Sequence, residues 1–224
     1  CWPQPWLAEF CAYRDSPRMT IEEFWVRYTL IRQDSEYDFM SVKTEEDARA
    51  FYQASPYMMW RNIVHRRHTP WRRVLATMGE TGNLLEFGCG IAPVGAYVAP
   101  RCPRWRYTLV DLPSAHRTYA EWRLIRHALS VRAYDELPSA LERRYNVITA
   151  IDVMEHLADP YKVACQLVHR LEPGGFLHWN FVGNERHNDL DLATEEQRQE
   201  TVTFLTRHLR LVWERDGYRV SRLG

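Results

Sequence analysis

Two acidic side chains and a glycine turn carry the strongest chemical signal in the chain. Glu86 follows the apolar pair Leu84-Leu85, Gly88-Cys89-Gly90 comes next, and a second apolar run, Tyr107 to Val110, ends at Asp111. Glycine removes the Cβ where a backbone must turn sharply, and lets a ligand approach the main chain. Asp152 closes a third run that begins at Tyr145, and Glu155-His156 stands just beyond it. An adjacent carboxylate and imidazole can take a proton near neutral pH. The dinucleotide fingerprint G-x-G-x-x-G would require glycine where Pro93 stands, and no Lys-Ser/Thr pair follows the glycines to make a phosphate loop. Two carboxylates around a glycine turn suit a cationic ligand bearing a ribose and an ammonium better than a diphosphate. The bland alternative is a tight strand-to-helix turn with no ligand.

The elements that must position these residues are legible from local patterns. Short apolar runs bounded by turn residues read as buried parallel strands. Pro93 suits the first turn of a helix, where a missing N–H costs nothing. The stretch from Leu84 to Asp111 is therefore strand, turn, helix, strand, acid, which is half of a nucleotide-binding crevice. Ser114 to His127 predicts a helix with Tyr119, Trp122, Ile125 and Leu129 on one face. Ser130 to Tyr134 predicts a third strand followed by Asp135, which could equally cap the start of a helix at Glu136-Leu137. Pro160 to Leu171 predicts a helix and Phe176 to Val182 a fifth strand. A polar loop, Gly183 to Leu192, offers Asn184, His187 and Asn188 as rivals to His156. Thr194 starts a long amphipathic helix that includes Leu209, and Tyr218 to Leu223 is a final strand.

The first eighty residues read differently. Thr20 with Glu23 predicts a helix start, a second helix begins near Thr44, and a third follows Ser55-Pro56. Trp25, Tyr28, Phe51, Tyr52, Tyr57 and Trp60 recur at helical spacing, which usually means core. There is nevertheless more aromatic surface than one sheet face needs, so a helical cap over the crevice is expected. Tyr57 and Arg61 stand four apart on one helix face.

The motifs resemble those of class I S-adenosylmethionine (SAM) methyltransferases of the small-molecule type. Glu86-Phe87-Gly88-Cys89-Gly90 matches their E/D-x-G-x-G, and departs at Ala92, where many members carry a third glycine. Asp111-Leu112-Pro113 is similar to the turn after the second strand in many O-methyltransferases. Asp152 to Pro160 is similar to D-x-x-E-H-x-x-D-P, and Glu172-Pro173-Gly174-Gly175 to the turn before the fifth strand. The resemblance covers roughly Leu84 to Val182. It implies an α/β fold: a Rossmann-like, doubly wound, mostly parallel sheet over 81–224, with residues 1–80 as a helical cap or lid. The seventh, antiparallel strand of that fold has no candidate unless the chain is cut short or Leu209 to Val212 is a strand. SAM is the implied cofactor and methyl donor. Glu86, Gly88, Cys89, Gly90, Asp111, Leu112 and Asp152 are its implied contacts. Asp135 would meet the adenine amine, and Tyr57 and Arg61 the methionine end, with a solvated Arg61 as the alternative. Glu155 and His156 form the implied catalytic dyad, although His156 could simply pack in its turn.

Composition narrows the partners. Lys+Arg and Asp+Glu balance at 29 each, so no global field draws the chain toward nucleic acid or a membrane. The basic run Arg61 to Arg73 reads as a solvated helix face, and no N/D-P-P-Y/F/W sequence for base amines follows the fourth strand. His65 and His68 lack a carboxylate or cysteine at ligand spacing, so no metal is expected. Five cysteines without a paired framework, and no signal peptide or apolar run of twenty, imply a cytoplasmic protein with reduced thiols. The expected partner is a small-molecule acceptor with an O, N or C nucleophile, and a homodimer is compatible with it. The alternative chemistry is displacement at another sulfonium carbon, including ring closure, which would release methylthioadenosine.

Overall fold

A computed structural model describes residues 4–39, 44–54, 56–65, 71–128, 130–140, 142–181 and 192–224. Strands β1 (Asn83–Phe87), β2 (Arg106–Val110), β3 (Ser130–Tyr134), β4 (Tyr145–Ala150), β5 (Leu171–Trp179), β6 (Leu209–Arg215) and β7 (Tyr218–Leu223) form one sheet. Their order is β3-β2-β1-β4-β5-β7-β6, with β1 to β5 parallel and β7 antiparallel between β5 and β6. The connections run outward from β1 to β3 and then cross to β4. Strand order therefore reverses between β1 and β4, which is where ligands bind in open α/β sheets.

Each face of the sheet is buried by helices. Along β1 the period of two sends Leu84 to one side and Leu85 and Phe87 to the other. Leu84 joins Tyr107, Leu109 and Val147 beneath α5 (Trp71–Ala76), α6 (Pro93–Val98) and α7 (Ala115–Leu124). Leu85 joins Ile148, Ala150 and Leu177 beneath α8 (Leu137–Ala140), α9 (Pro160–His169) and α10 (Glu195–His208). Burial on both faces is why these strands read as unbroken apolar runs. Each such leucine contributes about 1.5–3 kcal/mol.

Before the sheet come α1 (Gln4–Tyr13), α2 (Ile21–Phe39), α3 (Glu45–Ala54) and α4 (Pro56–His65). Thr20 and Glu23 cap the start of α2 reciprocally, and Thr44 and Asp47 do the same for α3. Phe10, Phe24, Tyr28, Trp60 and Ile63 form a third core that closes on Ile91, next to the glycine turn, and on Tyr119 of α7. Tyr28 and Trp60 are thus core, whereas Trp25 is exposed, and this core is seated on the crevice side of the sheet domain.

Two boundaries differ from the sequence reading. Leu209 opens β6, so the expected helix ends at His208 and the antiparallel hairpin β6–β7 completes the seven strands. Leu205 and Leu209 are both buried and four apart, so a helical period carries across a boundary that the backbone does not respect. The Pro-Gly-Gly expected as a turn before the fifth strand lies inside β5. Tyr145 pairs Leu171 and Val147 pairs Phe176, so the intervening residues bulge. A Cβ on Gly175 would stand 2.8 Å from the Glu172 carbonyl, so the bulge requires glycine there.

Candidate functional site

β1 brings Glu86 and Phe87 to the switch point, and the chain then turns through Gly88 and Gly90 at φ +64° and +50°. A Cβ on Gly88 would lie 2.3 Å from Val153 Cγ2 and 2.6 Å from its Cβ, so sterics and backbone conformation both demand glycine. Ala92 is also left-handed, at φ 50°, and caps α6 without a side-chain bond. Its N–H closes the turn on the Cys89 carbonyl at 2.6 Å. Cys89 is buried, with its thiol directed at the Gly90 carbonyl at 3.7 Å.

The two acids divide their work. Glu86 is 3% exposed. Its Oε1 accepts from the Val94 N–H at 3.1 Å and its Oε2 from the Gly95 N–H at 2.8 Å. Helix N-termini leave such amides unpaired, and a carboxylate suits them in hydrogen bonding and in charge. Glu86 thus spans the first turn of α6 and sets the loop from within. Asp111, at the end of β2, accepts from the Gly90 N–H at 2.5 Å through Oδ2 and from the Leu112 N–H at 2.7 Å through Oδ1. The Cys89 N–H reaches the Val110 carbonyl and the Asp111 N–H the Tyr134 carbonyl, so turn, β2 and β3 are joined at their tips. Asp135, one residue past β3, is exposed and ion-paired with Arg117 of α7.

On the other side of the switch point, Asp152 adopts φ 53° just past β4. Its N–H donates to Asn180 Oδ1 at 2.7 Å, and its Oδ1 accepts from Asn180 Nδ2 at 2.6 Å. The Tyr218 hydroxyl reaches the same oxygen at 3.5 Å. Asn180 is buried and was missed by sequence reasoning. Its one signal was an amide placed directly after the buried Leu177-His178-Trp179 run.

Glu155 and His156 lie in a 3₁₀ turn, Met154–His156. Glu155 is buried, and its carbonyl accepts from the Leu192 and Ala193 N–H groups at 3.0 and 3.1 Å. His156 Nε2 is 3.9 Å from Glu155 Oε1, an electrostatic contact too long for a hydrogen bond. The His156 ring lies 5.7 Å from the ring of Tyr52 on α3, tilted 54°. An aromatic side chain of the N-terminal helices therefore meets the Glu155-His156 pair. Arg61 is half-buried on α4; the side chain of Tyr57 lies outside the described residues, as do Asn184, His187 and Asn188. Among the described residues no group of three His, Cys, Asp or Glu side chains could hold a metal, and no helix is long and apolar enough to cross a membrane.

The model of the methyltransferase domain family matches residues 63–223. The chain belongs to that family. The seven-stranded sheet described above is the body of that methyltransferase domain. This methyltransferase is also similar in fold to solved structures of low identity. An O-methyltransferase family protein from Burkholderia thailandensis superposes with a TM-score of 0.64 at 14% identity, over 90% of this chain and 71% of the other. An S-adenosylmethionine-dependent methyltransferase from Clostridium acetobutylicum gives 0.51 at 13%, over 73% and 96%. An amino pentose methyltransferase from Micromonospora echinaspora, solved with SAM bound, gives 0.51 at 16%, over 71% and 94%. The first match is wider than the sheet domain alone, so the likeness of fold extends into the N-terminal helices. No curated protein matches.

Proposed function

We propose that this methyltransferase transfers the methyl group of SAM to an oxygen, nitrogen or carbon nucleophile of a small molecule enclosed between the helical cap and the carboxyl edge of the sheet. The observation that carries the reading is the contact of Tyr52 with His156, which brings a cap aromatic against the residue best placed to accept a proton. The donor set fits SAM. Carboxylates stand at the tips of β2 and β4, and the turn 88–92 bears no lysine or arginine for a phosphate.

SAM supplies a methyl group already activated on a sulfonium. The protein's task is to align the nucleophile with it, a contribution of about 7–11 kcal/mol at most. Asp111 holds the turn while offering its oxygens, each with two acceptor sites, to ribose hydroxyls. Asp152, tied to Asn180, presents its carboxylate at the opposite side of the turn. Gly88 and Gly90 let the nucleoside approach the main chain. His156 takes the proton of an acceptor that arrives protonated, and Glu155 favours the resulting imidazolium from 3.9 Å. Such a base is worth about 10²–10⁴-fold in rate.

The test is product analysis with SAM and a panel of phenolic, carboxylic and amine acceptors. S-adenosylhomocysteine with a methylated acceptor is expected. Methylthioadenosine would overturn methyl transfer in favour of displacement at another sulfonium carbon. With a phenol, His156→Gln is expected to lower kcat with little change in SAM affinity, and an unchanged kcat would remove the base from the scheme.

A further inference from the structure

Arg123, on α7, is 1% exposed. A guanidinium is that deeply buried only where it is paired and hydrogen-bonded. Its Nε donates to Glu9 Oε2 of α1 at 2.9 Å, and its Nη1 donates to the Ile91 carbonyl at 2.8 Å. The guanidinium carbon lies 4.4 Å from the Trp6 ring centroid of α1 and 5.2 Å from that of Tyr119. One planar group thus touches the first helix of the cap and the turn of the SAM site.

The place where it holds the turn is specific. The Ile91 carbonyl and the Ala92 N–H belong to one peptide. That N–H is on the Cys89 carbonyl, and the C=O is on Arg123. Ala92, next in the chain, is left-handed, a conformation that persists in a non-glycine residue only when its surroundings over-determine it. Both ends of the peptide leading into it are held, one by the turn itself and the other by a side chain that α1 clamps.

We propose that Arg123 is a positioning residue through which docking of α1 sets the geometry of the SAM turn. With α1 seated, Glu9 and Trp6 fix the guanidinium, and the Ile91–Ala92 peptide is held in place. With α1 lifted, Arg123 loses both supports and the turn relaxes. Because coupling between sites is reciprocal, a nucleoside bound at the turn also tightens α1. The ligand half of this inference rests on the SAM reading, whereas the tether itself belongs to the ligand-free chain.

Hydrogen exchange by mass spectrometry across residues 85–95, paired with calorimetric titration of S-adenosylhomocysteine, tests it on the full chain. Glu9→Gln is the decisive variant, since Glu9 sits on α1 and its carboxylate reaches the turn only through Arg123. It is expected to speed exchange at residues 90–92 and to weaken S-adenosylhomocysteine by about fivefold, with a thermal midpoint close to wild type. Arg123→Met should have the larger effect on both. Arg123→Lys should fall between, because an ammonium cannot span Glu9 and Ile91 as the fork does. In the wild type, S-adenosylhomocysteine should slow exchange over residues 4–13. Unchanged exchange and affinity in Glu9→Gln and Arg123→Met would overturn the tether, as would faster exchange spread evenly over the chain. If the wild type binds no S-adenosylhomocysteine, the SAM reading fails instead, and exchange in the ligand-free variants still decides the tether.

Discussion

Among single residues, Asp111 and Glu86 show how far a side chain's type can be read. Both were legible as acids flanking a glycine turn, because each closes or nearly closes an apolar run beside it. That Glu86 would spend both oxygens on α6 was not legible, since the capping partners are backbone amides that leave no trace in sequence. Asp111→Ala is expected to weaken SAM binding by about 1–3 kcal/mol, measured by calorimetry. It removes the proposed ribose acceptor and also the bond that holds the Gly90 N–H. Unchanged affinity would take Asp111 out of the ribose site. His178 is informative in another way. The Thr77 hydroxyl donates to the Val74 carbonyl and lies 2.9 Å from His178 Nε2, so that nitrogen carries the proton. Complete burial holds the ring neutral, with a pKa lowered from 6.5 to about 3. Between those values the unfolded chain binds the extra proton, so stability falls as pH drops. The loss through this one group is about 2 kcal/mol between pH 7 and pH 5. In urea unfolding at the two pH values, His178→Gln should lose less stability than wild type over that interval. Parallel losses would assign the acid sensitivity to other groups.

At the scale of elements, the turn between β1 and α6 is a set of mutually dependent choices. Gly88 faces Val153, Gly95 faces Glu86 and Leu124, and Ala92 is left-handed at the helix start. Gly88→Ala is expected to destabilise the fold by about 1–3 kcal/mol and to abolish S-adenosylhomocysteine binding. Val153→Ala in that background should restore little, because the Val153 Cβ, at 2.6 Å, remains in the double variant. Full recovery in a combined thermal and binding measurement would mean that Cγ crowding was the whole effect. Strand existence was legible wherever both faces of the sheet are covered, as in β1, β2 and β4. At β6, an edge strand with Leu211 and Val212 exposed, it was legible only as the alternative reading of Leu209 to Val212, because buried Leu209 continues the helix pattern. The bulge in β5 escaped notice because Pro-Gly-Gly carries the same signal for a turn between elements as for an irregularity within one.

Across the whole molecule, helices ahead of the sheet were legible from composition and from where the motifs begin, but the way they pack into it was not. Ile91 and Tyr119 belong to the sheet domain and are buried by Phe10, Phe24 and Trp60 of the cap. Deleting residues 1–54 is therefore expected to leave a sheet domain with strand and helix signals by circular dichroism, a lowered thermal midpoint and poor turnover. Binding of a hydrophobic dye should report the uncovered Tyr119 and Trp122 surface. Normal turnover after the deletion would sink the lid. The buried thiol of Cys89 gives this architecture a chemical readout of its own. Since it is sealed inside the turn, an alkylating reagent can reach it only in molecules whose loop has momentarily sprung open. Its rate of modification therefore clocks the breathing of the nucleoside cradle, against the more accessible Cys102 and Cys165 as internal standards.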